Sequence, residues 1–227
     1  MTKVLTLSRS VLNLSIVKSE IDRLLLVSVM FSLLLLGARM FYTGDLTFIF
    51  LAWNLFLAFV PYLLSQWLFK RMAFSANRFV YGAVFIVWLL FIPNSFYIIT
   101  DLFHLYFHGS KVPEWYNLLL ILSFAWNGII MGILSVRQME KITYSIFGKG
   151  HELLFLIPIM WLNALGVFIG RYLRFNSWDI ITNPFSLAVQ IGDLLLHPLQ
   201  YKYAWGMIGC YSVFMTLLYL MIKKASR

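Results

Sequence analysis

Asp101, His104 and His108 stand at i, i+3 and i+7, so a continued helix presents all three on one face. That spacing suits a metal ion, or a carboxylate that orients an imidazole. Three ligands from one helix still need a fourth group, for which Glu114, Asp179 and His197 are the candidates. The alternative at this site is a hydrogen-bond network without a metal. Arg171 and Arg174 form a second pair, at i and i+3, in "GRYLRFNSWDIITNP". Guanidinium forks bind carboxylate or phosphate bidentately, and Trp115, Trp178, Tyr97 and Tyr172 offer aromatic surface close by. The same arginines also suit a helix C-terminus, where the macrodipole favours cations by about 0.3–1 kcal/mol. Asp101 has the wrong sign for such an end, and Arg171 or Arg174 is the donor expected to compensate it.

Both clusters adjoin one phrase written twice. "NSFYIITDLFHL" runs from Asn94 to Leu105, and "NSWDIITNPFSL" runs from Asn176 to Leu187. They agree at Asn, Ser, both Ile, Thr, Phe and Leu. Such agreement points to a parallel repeat, with the alternative of convergence on a favourable interfacial helix ending.

The elements that carry these phrases follow from composition. Of 227 residues, 61% are hydrophobic and 12% charged, with a mean hydropathy of +0.82. Such a chain is too apolar for a solvated surface and reads as a membrane protein. Six windows are long enough to cross a hydrocarbon layer about 30 Å thick. They are Leu24–Phe41, Leu46–Phe69, Phe79–Ile99, Tyr116–Leu134, Leu153–Gly170 and Tyr203–Ile222. Lipid offers backbone groups no partner, so each is expected to be a helix, giving an all-α polytopic bundle. The first window is too long for a signal peptide and is read as a retained anchor.

Charge sets the orientation. The net charge is +9, yet thirteen Lys and Arg residues fall on one side of the alternating spans and five on the other. The positive-inside rule therefore predicts that both termini are cytoplasmic. The basic excess is a topogenic signal and no nucleic-acid footprint. Residues 1–23 carry Val4, Leu7, Val11 and Leu14 beside Lys3, Arg9 and Lys18, the pattern of an amphipathic helix on the inner leaflet. Residues 24–222 form the transmembrane domain and 223–227 a basic tail. In this topology both repeated phrases lie where the third and fifth spans reach the extracytoplasmic interface.

Other residues speak to packing. Asn127 and Asn163 fall near mid-membrane, where an amide prefers a partner on a neighbouring helix. "GIIMG" (Gly128–Gly132) and "GVFIG" (Gly166–Gly170) permit close helix approach, each expected to receive a different neighbour. Pro93 should free the carbonyl of Leu89, and Pro184 closes the second phrase. Both prolines are expected to interrupt helices. Cys210, the single cysteine, allows no internal disulfide and is read as packing. Walker, dinucleotide-binding, zinc-protease and nucleophile-elbow motifs do not occur, which argues against ATP-driven transport by this chain alone.

"WLLFIPNSFYIITDLFHL", "VPEWYNLLLILSFAWNGIIMG" and "GRYLRFNSWDIITNP" together resemble a bacterial membrane-protein family known as domain of unknown function 1361. The resemblance spans Trp88 to Pro184 and implies an integral membrane protein, here expected in the bacterial cytoplasmic membrane. It implies no substrate or reaction. Asn117 stands where the family pattern has an acidic residue, and His108 and His197 lie outside the matching words.

The sequence thus predicts an outward-facing polar pocket built from Asn94, Asp101, His104, Arg171, Arg174, Asn176, Trp178 and Asp179. Its expected ligand is an anionic solute or a lipid headgroup, handled by a small transporter. A headgroup-directed enzyme using Asp101 and His104 is one alternative, and a non-catalytic assembly subunit is another. Any cofactor is left open, the surrounding lipids are the expected partners, and the oligomeric state is open.

Overall fold

The computed structural model describes residues 2–72, 78–105, 111–148, 150 and 152–225, with side chains described from residue 20 onward except at residue 72. Among these residues the protein is all-helical, and six helices are long and apolar enough to cross a membrane. The long helices are α1 (Thr2–Thr43), α2 (Phe50–Met72), α3 (Arg78–Tyr97), α4 (Glu114–Phe147), α5 (Glu152–Phe168) and α8 (Lys202–Ala225). Two short helices, α6 (Asp179–Thr182) and α7 (Pro184–Leu196), lie between α5 and α8. A 3-10 turn over Ile98–His104 prolongs α3, and a π segment over Ile169–Leu173 prolongs α5. The amphipathic stretch near the N-terminus joins the first span in one uninterrupted helix. Its side chains, like His108, lie outside the described residues.

Helix α4 is the central post. It packs against α1, α2, α3 and α8, and it is the most buried of the six spans. It also runs further than its apolar window, because Arg137 and Glu140 continue the helix instead of ending it. Thirty-four residues at 1.5 Å each give about 50 Å, well beyond a 30 Å hydrocarbon layer. Glu140 is buried and paired: Lys223 Nζ of α8 donates to it at 2.7 and 2.9 Å, and the Tyr219 hydroxyl donates at 2.5 Å. Lys223 also reaches Glu152 of α5 at 2.8 Å, so one ammonium ties three helices together. A charge that looks prohibitive in the sequence is thus neutralised by a helix far along the chain.

Helix α3 is held from two sides by glycines. A Cβ on Gly128 would lie 2.7 Å from the Ser95 carbonyl oxygen, and one on Gly132 would lie 2.9 Å from Ser95 Cβ and from the Phe96 ring. On the opposite side, a Cβ on Gly166 would lie 2.5 Å from Pro93 Cγ, and one on Gly170 would be 3.3 Å from the Tyr97 ring. The two small-residue motifs therefore do not meet each other. Contrary to the expectation of different neighbours, both receive α3. Polar groups fasten the same region. Ser95 Oγ donates to the Ala58 carbonyl at 3.0 Å, and Trp88 Nε1 donates to Ser135 Oγ at 2.7 Å, which in turn donates to the Pro61 carbonyl at 2.8 Å.

The prolines behave differently from each other. Pro93 is carried inside α3 without ending it, whereas Pro184 opens α7, where its missing N–H costs nothing. Cys210 is exposed on α8 and does not pack.

These contacts predict opposite effects for chemically identical changes. Gly166→Ala forces a methyl against a rigid pyrrolidine ring and is expected to cost about 1–3 kcal/mol. Gly209→Ala, with open space around it, is expected to be neutral or stabilising by up to about 1 kcal/mol through helix propensity. Thermal unfolding of the two variants in detergent checks the contrast.

Candidate functional site

The ends of α3 and α5 come together on the side of the bundle that carries residues 44–49 and 174–201, here the loop side. Asp101 is fully buried in the 3-10 turn. One of its oxygens faces Arg171 Nη1 at 3.6 Å, and the other accepts from Asn54 Nδ2 of α2 at 2.8 Å. Arg171 is the compensating donor, and Arg174 plays no part in it. The Arg171 guanidinium also lies over the Phe103 ring at 5.2 Å, which fixes its plane. Asn54 was not singled out in the sequence, although a lone amide in the apolar run "FLAWNLFLAF" is the signal that marks it.

His104 turns back on its own segment, with Nδ1 3.2 Å from the Asp101 carbonyl and its ring 5.0 Å from that of Phe50. Among the described residues it meets no second imidazole. His197, a candidate fourth ligand, pairs with Asp193 at 2.9 Å, and the same carboxylate accepts from the Tyr201 hydroxyl. Among the described residues no three His, Cys, Asp or Glu side chains converge on a common point.

The two repeated phrases touch each other but fold differently. The first is helical, while the second leaves the helix, turns at Ser177–Trp178, forms the single turn α6 and breaks at Asn183 before α7 begins at Pro184. Asn94 Nδ2 donates to Ser177 Oγ at 2.9 Å, and Ser177 Oγ donates to the Leu90 carbonyl at 3.0 Å. Asp179 shapes that turn: its carboxylate accepts from the Asn176 N–H at 2.6 Å and from Thr182 Oγ1 at 2.9 Å. The Asn176 N–H first, and Thr182 second, hold the Asp179 carboxyl below the usual aspartate range. Trp178 meets Trp53 edge to face at 6.3 Å.

Arg174 differs from the other site residues. It sits in the left-handed region at φ 58°, ends the π segment, and points no side-chain hydrogen bond or ion pair at any described residue. It is exposed, and a non-glycine residue in this conformation is strained by about 1–2 kcal/mol.

Beside it a groove of about 300 Å³ opens between α2, α3, α5 and α7. Its floor is apolar, with Leu57, Leu89, Pro93, Leu162, Leu165 and Ile169, while Asn54, Asn94, Asn176 and Ser177 supply the polar wall. Leu89, whose carbonyl Pro93 deprives of its helical donor, lines this groove. Of the predicted site residues, Asn94 and Asn176 line it, Asp101, Arg171 and Asp179 brace it, and Arg174 stands next to Phe175 on its edge. The mid-membrane amides belong elsewhere. Asn127 donates to Ser32 Oγ and the Ser28 carbonyl on α1, and Asn163 reaches only Met160 on its own helix.

A further buried guanidinium lies on the loop side. Arg39 of α1 donates through Nε to Asn117 Oδ1 at 3.1 Å and covers the Phe48 ring at 4.2 Å, with Asp45 at 3.9 Å. The amide at 117, where the resemblance called for an acid, is thus a partner for this arginine.

Comparison with known proteins places the chain among relatives without assigned chemistry. A family model described as a protein of unknown function (DUF1361) matches residues 53–220. No curated protein and no solved structure matches the chain.

Two predictions follow from the geometry. Arg171→Met strands the buried Asp101 carboxylate and is expected to cost about 3 kcal/mol, most of which returns in the double variant with Asp101→Asn. Equal melting temperatures for the single and double variants would refute the pairing. The Asp179 bonds are present above the ordinary aspartate pKa of 3.8 and are lost as the pH falls through its lowered folded value. The Asn176 amide resonance should therefore hold its shift from neutral pH downward and move only in acid below that value.

Proposed function

The chain belongs to the DUF1361 family of proteins of unknown function, and from that premise we infer that it binds an anionic amphiphile at the loop side. The phosphate or carboxylate head sits at Arg174, with the Asn94 and Asn176 amides beside it. The apolar tail lies in the groove between α2, α3, α5 and α7. By the positive-inside rule this is the extracytoplasmic face of a multi-pass membrane protein, in the bacterial cytoplasmic membrane.

The observation that carries the reading is an uncommitted, strained arginine adjacent in sequence to Phe175, which lines a groove that also has apolar and amide residues. A glycine at position 174 would remove the strain at no steric cost. Binding is favoured over transport because Asn127 and Asn163 are turned to different partners and continue no polar route inward. It is favoured over headgroup chemistry because Asp101 is committed to Arg171 and Asn54.

Arg174→Gly separates the ligand from the fold. Native mass spectrometry of the gently extracted wild type is expected to show a defined anionic adduct, and its mass distinguishes a lipid from a free solute. The variant should lose that adduct while its melting temperature holds or rises. Leu90→Trp, which fills the groove, should lose it as well. An adduct-free wild type, or an adduct unchanged in Arg174→Gly, overturns the proposal.

A further inference from the structure

A second groove, larger than the first, lies on the opposite flank of α2. It measures about 520 Å³ and runs between α1 and α2 with Met131 of α4 as its floor. Leu25, Val29 and Leu33 line one wall, and Leu55 and Phe59 line the other. It closes at its basic-side end on three polar residues: Asp22, Tyr62 and Gln66.

The geometry of that end is specific. The Tyr62 hydroxyl and Gln66 Nε2 both donate to the same oxygen, Asp22 Oδ1. Neither bond uses Oδ2. An ionised carboxylate has about four lone-pair sites, so acceptor capacity remains for a donor arriving along the groove. Lys70 follows Gln66 by one helical turn on α2 and is exposed. An acidic acceptor thus closes the apolar channel, with a cation one helical turn further along α2.

The length of the channel identifies the rest of the ligand. From Asp22 to Leu33 is eleven residues of α1, about 16 Å of helix, or roughly one leaflet of a 30 Å hydrocarbon layer. Its polar end lies on the basic side, which the positive-inside rule makes the inner leaflet.

We propose that this groove is a site for an inner-leaflet phospholipid whose headgroup carries a primary amine. The acyl chain lies between α1 and α2. The ammonium donates to Asp22 Oδ2, and the phosphodiester faces Lys70. A glycerol headgroup brings no cation to Asp22, and a choline headgroup brings a cation without an N–H. Bulk lipid merely solvating the gap would show none of this preference.

The test uses full-length protein in nanodiscs of equal phosphatidylethanolamine and phosphatidylglycerol, with retained lipid counted by native mass spectrometry after release. Wild type is expected to retain the ethanolamine lipid over the glycerol lipid by roughly tenfold, the ratio from one charge-assisted hydrogen bond. Asp22→Asn should bring that ratio close to one, and Ala52→Trp, which fills the channel, should remove the bound lipid altogether. Every protein compared carries Leu90→Trp, which fills the other groove, so the count reads this site alone and failure here is separable from failure of the site at Arg174. Equal retention by wild type, a ratio that survives Asp22→Asn, or a lipid-free dimer with a second copy in the groove would each overturn the proposal.

Discussion

Everything on the loop side depends on how closely α3 approaches its two neighbours. Gly128 and Gly132 let the backbone at Ser95 sink into α4, and Gly166 lets the Pro93 ring sink into α5. In lipid no water is expelled when helices meet, so such contacts must gain their energy from dispersion and from short polar bonds. Close approach supplies both. It brings Ser95 within reach of the Ala58 carbonyl and carries the Ile98–His104 turn to the point where Asp101 finds Asn54 and Arg171. The site is therefore a by-product of helix packing that places carboxylate, amide and guanidinium at one depth.

Charge is handled by one rule at both ends of the bundle. Asp101 on the loop side and Glu140 on the basic side are each buried, and each is met by a cation from another helix together with a neutral donor. Breaking such a pair costs far more than the pair contributes, so its main effect is to specify which helices are neighbours. Arg174 is outside this rule: it is a cation at the same end with nothing assigned to it, in a backbone conformation that carries a penalty.

What the sequence disclosed was local. Six apolar windows announced six spans, and the misplaced negative charge of Asp101 at a helix end called for an arginine, which Arg171 supplies. Small-residue spacing in "GIIMG" and "GVFIG" marked the tight contacts correctly but could not say that one helix fills both. The far end of α4 was hidden because Arg137, Glu140 and Lys141 end its apolar window, and the residue that neutralises Glu140 lies 83 positions away. Helix α7 was hidden for the opposite reason: thirteen residues are too few to span, so its apolar pattern looked like part of a loop. The Asn94–Ser177 bond joins the two copies of a repeated phrase, and a repeat suggests equivalent places, not mutual contact.

The Glu140–Lys223 pair also constrains the order in which the protein is made. Helix α4 leaves the ribosome long before α8, and until α8 arrives the Glu140 carboxylate has neither its ammonium nor the Tyr219 hydroxyl. Helix α8, the last of these helices to be made, is thus what completes the neutralisation of the central helix.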